Sequence, residues 1–266
     1  MDRVTESDSA VVRYSGEVTL RGEPSPEAIS RAVGEGFARV GLHGVHPLLA
    51  TAEGAEALAR HGVTDVHVAL HGAAANVHDY QAGEGSFAAT TAAITNARAA
   101  GIAVAVSSLL TRSNARALGE LPRWLTARGV AGWLVEVPRT NGTRGKGFDR
   151  VYPRLAMAVP YALHAMEAAR RSALLAWVRG APWCLLGPYA PRALAEAPRA
   201  YGAMCEGCPA RGKCSGVDGV YLARFGGDEL SPARARAAAS AAVGLREAAI
   251  ARMFAVPFEL ASLGEE

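Results

Sequence analysis

The sequence predicts an α/β fold with a parallel sheet, followed by a small cysteine module and a C-terminal helix. Three observations carry that expectation. Short β-rich runs alternate with amphipathic helical stretches as far as about Pro138, the helical stretches end at glycines, and the beat gives way to a loop-rich, cysteine-bearing stretch only in the last third. Strands are expected at 11–14, 38–42, 66–70, 103–109 and 132–137, with helical patterns at 26–36, 53–61, 86–100 and 114–128. Gly36, Gly62, Gly101 and Gly129 stand at the stop positions, where a left-handed residue closes a helix well. So few β-α beats cannot close an eight-strand barrel, which leaves an open or partial barrel or a doubly wound sheet.

Beyond the fifth strand, residues 139–154 carry glycines and five basic residues and read as a loop at the C-terminal edge of the sheet. Ligands bind at that edge in α/β folds, so anion binding stands beside the plainer reading of a solvated basic loop. Residues 160–177 read as a helix, 182–225 as the cysteine module and 232–254 as a closing helix. The expected division is 11–180 for the α/β unit, 181–230 for the module and 231–266 for the helix and tail.

Composition narrows the function classes. Half of the 266 residues are apolar and the net charge is +3, so neither a nucleic-acid tail nor a membrane-surface patch is indicated. No apolar run reaches the roughly eighteen residues that span a bilayer. Residues 1–10 are polar and acidic (Asp2, Glu6, Asp8), unlike a signal peptide, and a cytoplasmic location is expected.

The four cysteines are Cys184, Cys205, Cys208 and Cys214. A C-x2-C turn aims two sulfurs at one point, and soft thiolates select zinc, copper(I) or iron–sulfur clusters. In a reducing compartment a metal site outweighs two disulfides or four unrelated thiols. Zinc ribbons usually present two C-x2-C knuckles; one knuckle tilts the choice toward a [4Fe-4S] cluster, with zinc as the alternative. The glycine- and proline-rich stretch 201–219 buries too little to fold alone, and a structural metal can supply on the order of 10 kcal/mol to such a module.

Histidines at 43, 46, 67, 71 and 78 lack acidic partners at ligand spacing and read as strand and turn residues. Asp79 beside His78 has no nucleophile signature to accompany it, so a hydrolase is not expected.

The segment Val66-His67-Val68-Ala69-Leu70-His71-Gly72, then His78-Asp79, then Gly83-Glu84-Gly85-Ser86-Phe87, resembles the radical SAM superfamily. There a similar L-H-G ends the fourth strand and a G-S-F opens the next helix. Val104 to Ser107, Leu109 to Arg112 and Asn114 are similar to its fifth strand and following turn. Ser15-Gly16-Glu17-Val18-Thr19-Leu20-Arg21 is similar to its G-G-E-P-T-L motif at the end of strand two. Pro182-Trp183-Cys184, Cys205 to Gly216, Tyr221 and Phe225-Gly226 resemble its auxiliary-cluster (SPASM/twitch-like) module.

The resemblance implies a partial β/α barrel with S-adenosylmethionine across its C-terminal mouth, contacted by Ser15, Gly16 and Glu17 and by Ser107, Arg112 and Asn114. The residue-level alternatives are a solvated Glu17, a small core residue at Ser107 and a helix N-cap at Asn114. Ala69 replaces a usual serine, Val18 a usual proline, and Gly44-Val45-His46 a usual T-N-G. The family's C-x3-C-x2-C, which carries the radical-generating cluster after strand one, is not in this chain. The reading is therefore a degenerate member with an N-terminally truncated barrel and no catalytic residue assigned. It would act as a partner of a maturase working on a peptide, cofactor or natural product. A competent enzyme whose cluster segment lies elsewhere and a zinc-held adaptor are the alternatives. The edge left by a missing first strand is expected to be capped by the first ten residues or by a partner.

Overall fold

Seven strands form one sheet in the order β1 to β7: Val11–Tyr14, Glu17–Arg21, Arg39–His43, Asp65–Ala69, Ala103–Leu109, Gly132–Glu136 and Leu175–Arg179. The structure is a computed structural model that describes residues 11–14, 16–140, 147–233 and 244–258. From β2 to β7 all pairings are parallel, and β1 folds back antiparallel on β2 through a hairpin. The strand order never reverses, so the sheet has no switch point of the doubly wound kind. A six-strand parallel sheet in sequential order is the arrangement of a partial barrel.

Helices α1 (Pro26–Gly34), α2 (Ala52–Arg60), α3 (Ala75–Ala82), α4 (Ser86–Ala99), α5 (Leu121–Ala127), α6 (Phe148–Val151) and α7 (Leu155–Arg171) follow in the connections. Their starts are set locally. Ser25 and Thr51 accept N–H bonds from Ala28 and Gly54 at 3.3 and 3.1 Å, and Pro26 presets the first turn of α1. Strand alternation then sorts the sheet into two faces. On the outer face Val18, Leu20, Val40, Leu42, Val66, Val68, Val104, Val106, Val135 and Val178 pack with Ile29, Leu58, Ile94, Leu125 and Met166 of the helices in the main core. The inner face carries Thr19, Arg39, His43, Asp65, His67, Ser107, Glu136 and Arg179, all on the alternate positions.

After β7 come α8 (Trp183–Leu186), the cysteine loops and α9 (Gly219–Phe225), and α10 (Leu245–Met253) closes the described chain. The module shares the main core through Val217, Tyr221 and Leu230. Helix α10 and the residues after it lie instead against the inner face, where Ile250, Met253 and Phe254 meet Ala105, Leu134 and Trp177 in a second apolar cluster.

Several expectations change. Residues 17–21 are a strand, not a post-strand motif. The expected helix at 160–177 runs Leu155–Arg171, ends where Ala173 turns left-handed (φ 55), and releases Leu175–Arg179 as β7. A short apolar run such as LLAWV satisfies either period, and tertiary pairing with β6 decides it. The pattern at 114–128 splits into a 3-10 turn, Ala115–Glu120, and α5. Of the closing helix only Leu245–Met253 is described as helix, and residues 234–243 of the expected span lie outside the described residues. The parallel edge at β2 is covered by β1; residues 1–10 lie outside the described residues. Among the described residues no helix is long and apolar enough to cross a membrane.

Candidate functional site

Two regions concentrate chemistry: the hollow lined by the four cysteines and the polar inner face of the sheet. The hollow forms directly after β7. Pro182 starts α8 and places Cys184 beside it, while Gly207 (φ 69) makes the left-handed turn that lets Cys205 and Cys208 share one loop. The loop is pinned by an antiparallel bridge between Ala200 and Val217 and by the Tyr201 hydroxyl, which donates to the Cys214 carbonyl at 2.8 Å. All four cysteines line one hollow with Trp183, Tyr201, Leu230 and Ser231.

The sulfurs are met by backbone donors. Cys214 Sγ accepts from Trp183 N–H (3.4 Å) and Gly216 N–H (3.3 Å), and Cys208 Sγ from Ala233 N–H (3.4 Å). Burial pushes the Cys184 thiol up, with the Ser231 N–H acting the other way. The four are free cysteines. Among the described residues no group of three or more His, Cys, Asp or Glu closes tightly enough to hold one ion.

On the inner face, Ser107 meets His67 Nε2 at 2.6 Å, and Glu136 accepts from Arg179 at 3.1 Å. Burial holds His67 well below its usual range and His43 at about 4, so both rings are neutral near pH 7. Burial raises the Glu136 carboxyl against the pull of the Arg179 guanidinium. Toward the N-terminal end Arg39 joins Asp65 at 2.5 Å and Glu17 at 3.7 Å.

At the C-terminal edge, the L-H-G, H-D and G-S-F segments form one interlocked corner. His71 N–H donates to His78 Nδ1 (3.0 Å), His71 Nδ1 accepts from Leu109 N–H (3.3 Å), and Asp79 accepts from Phe87 N–H (2.7 Å) and Gly85 N–H (3.1 Å) to cap α4. Gly72 is required there, because a Cβ would sit 2.4 Å from Val77 Cγ1.

The residues expected at an S-adenosylmethionine site do not gather. Glu17 is the first residue of β2, at the N-terminal end, where it pairs with Arg39 and Arg252. Gly16 is the exposed hairpin turn, and Ser15 lies outside the described residues. Residues 17–21 of the Ser15 to Arg21 segment form β2 itself, and Gly22-Glu23-Pro24-Ser25 follows at its C-terminal end. Val18 is an outer-face core residue. Ser107 reaches the inner face. Arg112 is exposed and donates to the Asp149 carbonyl. Asn114 is fully buried and makes no cap bond to the turn that follows. Its Oδ1 accepts from Thr111 N–H (2.9 Å), and its Nδ2 donates to the His71 and Leu109 carbonyls (2.9 and 2.7 Å). His43, His67, Glu136 and Arg179 were not expected to act together. Their signal was present: a charged residue at the last inward position of two apolar strands, GWLVE and LAWVR.

No family model matches the chain, and no curated protein matches it. One similar solved structure is QR15, an aldolase, at TM-score 0.35 and 10% identity, covering 60% of this chain. The chain spans 64% of the length of that aldolase.

Proposed function

We propose that this chain is a radical SAM-like iron–sulfur protein, with a partial barrel, that acts as a non-catalytic partner in the maturation of a peptide, cofactor or natural product. The observation that carries the reading is the convergence of Cys184, Cys205, Cys208 and Cys214 on one hollow, with backbone N–H groups aimed at two of the sulfurs. A [4Fe-4S] cluster would be held by these four thiolates, supplying one-electron redox chemistry or a substrate anchor. The 266 residues hold no C-x3-C-x2-C, so the reading assigns them binding and leaves radical generation to another segment or chain. It gives S-adenosylmethionine no contact through Glu17, Ser107 or Asn114, whose polar groups are spent inside the protein.

Anaerobic purification with iron, sulfide and zinc analysis tests this, on the wild type and on the Cys205→Ala/Cys208→Ala double variant. About four irons and four sulfides per chain are expected, lost in the variant. About one zinc in a colourless protein would replace the reading with a zinc-held adaptor.

A further inference from the structure

The inner face is mixed, with Ala105, Leu134 and Trp177 beside His43, His67, Ser107, Glu136 and Arg179, and an apolar segment of the same chain covers both parts. Phe258 stacks on His43 with ring centroids 4.1 Å apart and meets His67 edge-on at 4.7 Å. Phe254 meets His67 at 5.1 Å and Trp177 at 5.6 Å. The Arg179 guanidinium donates to the Phe254 carbonyl, the Val256 carbonyl lies beside the His43 ring, and the Phe258 N–H faces Glu136. The segment is thus held as a peptide ligand is held, by main-chain groups and two aromatic side chains four residues apart.

The fit is incomplete in a specific way. Beyond those main-chain contacts, His43 Nε2, His67 Nδ1 and Glu136 Oε1 are buried without a hydrogen-bond partner among the described residues. An unpaired buried polar atom is costly, so the segment's cover over the polar part of the face is held at a free-energy cost that its apolar contacts must offset. At its rim α10 is tied by the ion pairs Arg252–Glu17 (2.6 Å) and Arg192–Glu247, both partly exposed and therefore weak. Its apolar contact is the small second cluster, separate from the main core.

We propose that the inner face is a binding site for a peptide segment bearing two phenylalanines four residues apart, and that α10 with the residues after it, 245–258, is its built-in, displaceable occupant. A peptide supplied by a partner would bind by the same donors, Arg179 and His43, and place rings on His43 and His67. Donors or acceptors on its side chains would meet the three atoms the chain's own segment leaves unpaired. The inference rests on the sheet and the C-terminal segment, not on the cysteine hollow, so the metal analysis above and the experiment below fail independently.

The test uses the full-length chain and a fluorescein-labelled peptide of residues 245–258. Replacing Phe254→Ala and Phe258→Ala together weakens the internal occupant and frees the site. The double variant is expected to bind the peptide at least tenfold more tightly than the wild type, and a peptide with both phenylalanines changed to alanine is expected to bind neither. Equal binding to both proteins, or none to a folded double variant, overturns the proposal. Hydrogen exchange on the wild type decides independently of how the variant folds. Amides of 250–258 are expected to exchange at least a hundredfold faster than those of 104–106, and equal protection overturns the proposal.

Discussion

Asn114 does more for the fold than its position before a turn suggested. A cap residue satisfies donors of the helix it precedes, whereas Asn114 reaches backward and sideways, joining the ends of β4 and β5 through the His71 and Leu109 carbonyls. Replacing it with alanine leaves two carbonyls and the Thr111 N–H without their buried partner. At about 1–3 kcal/mol for a stranded buried group, with partial relaxation, Asn114→Ala is expected to lose about 2–4 kcal/mol. Urea denaturation checks this, and a loss under 1 kcal/mol would return Asn114 to the role of a minor cap. In the same corner the Nδ1 atoms of His71 and His78 each accept a backbone N–H bond, which fixes both rings against the ends of β4 and β5.

Among the elements, α2 shows a local preference overruled by packing. Gly54 lies in the first turn of a helix, where alanine would ordinarily gain about 1 kcal/mol. Here a Cβ would stand 2.1 Å from the Leu48 carbonyl of the preceding 3-10 turn, Pro47–Ala50, and that neighbour is backbone. Overpacking of this kind costs about 1–3 kcal/mol, so the sign reverses. Gly54→Ala is expected to lower the thermal midpoint; an unchanged or raised midpoint would mean that α2 can lift from the turn at little cost. The hairpin β1–β2 makes the related point at the sheet edge. Val11–Tyr14 has the composition of a strand in a parallel beat, but only two residues separate it from β2, too few for a crossover, so it pairs antiparallel.

At the scale of the whole molecule, the buried histidines make stability depend on pH in one direction. His43 and His71 are held by burial at about 4 and about 3. Unfolded, both regain a pKa of about 6.5, so the unfolded chain takes up protons first as pH falls. Their contribution is complete above about pH 6.5 and declines as pH drops toward the folded values, by about 2 kcal/mol per histidine at pH 5. Urea midpoints at pH 7.5 and pH 5.0 measure it, and equal midpoints would show that these rings are open to water. The sequence by itself determined the α/β beat, most strand cores and the cysteine set, because periodicity, helix caps and a C-x2-C turn are local signals. It missed β2 as a strand and gave most of β7 to a helix, because a short apolar run fits either period and only pairing with a distant strand chooses. It also could not bring His43, His67, Ser107, Glu136 and Arg179 to one face, nor lay Phe254 and Phe258 across them. Residues so far apart in the chain meet only through strand register and the return of the C-terminal segment, and those are fixed by tertiary packing.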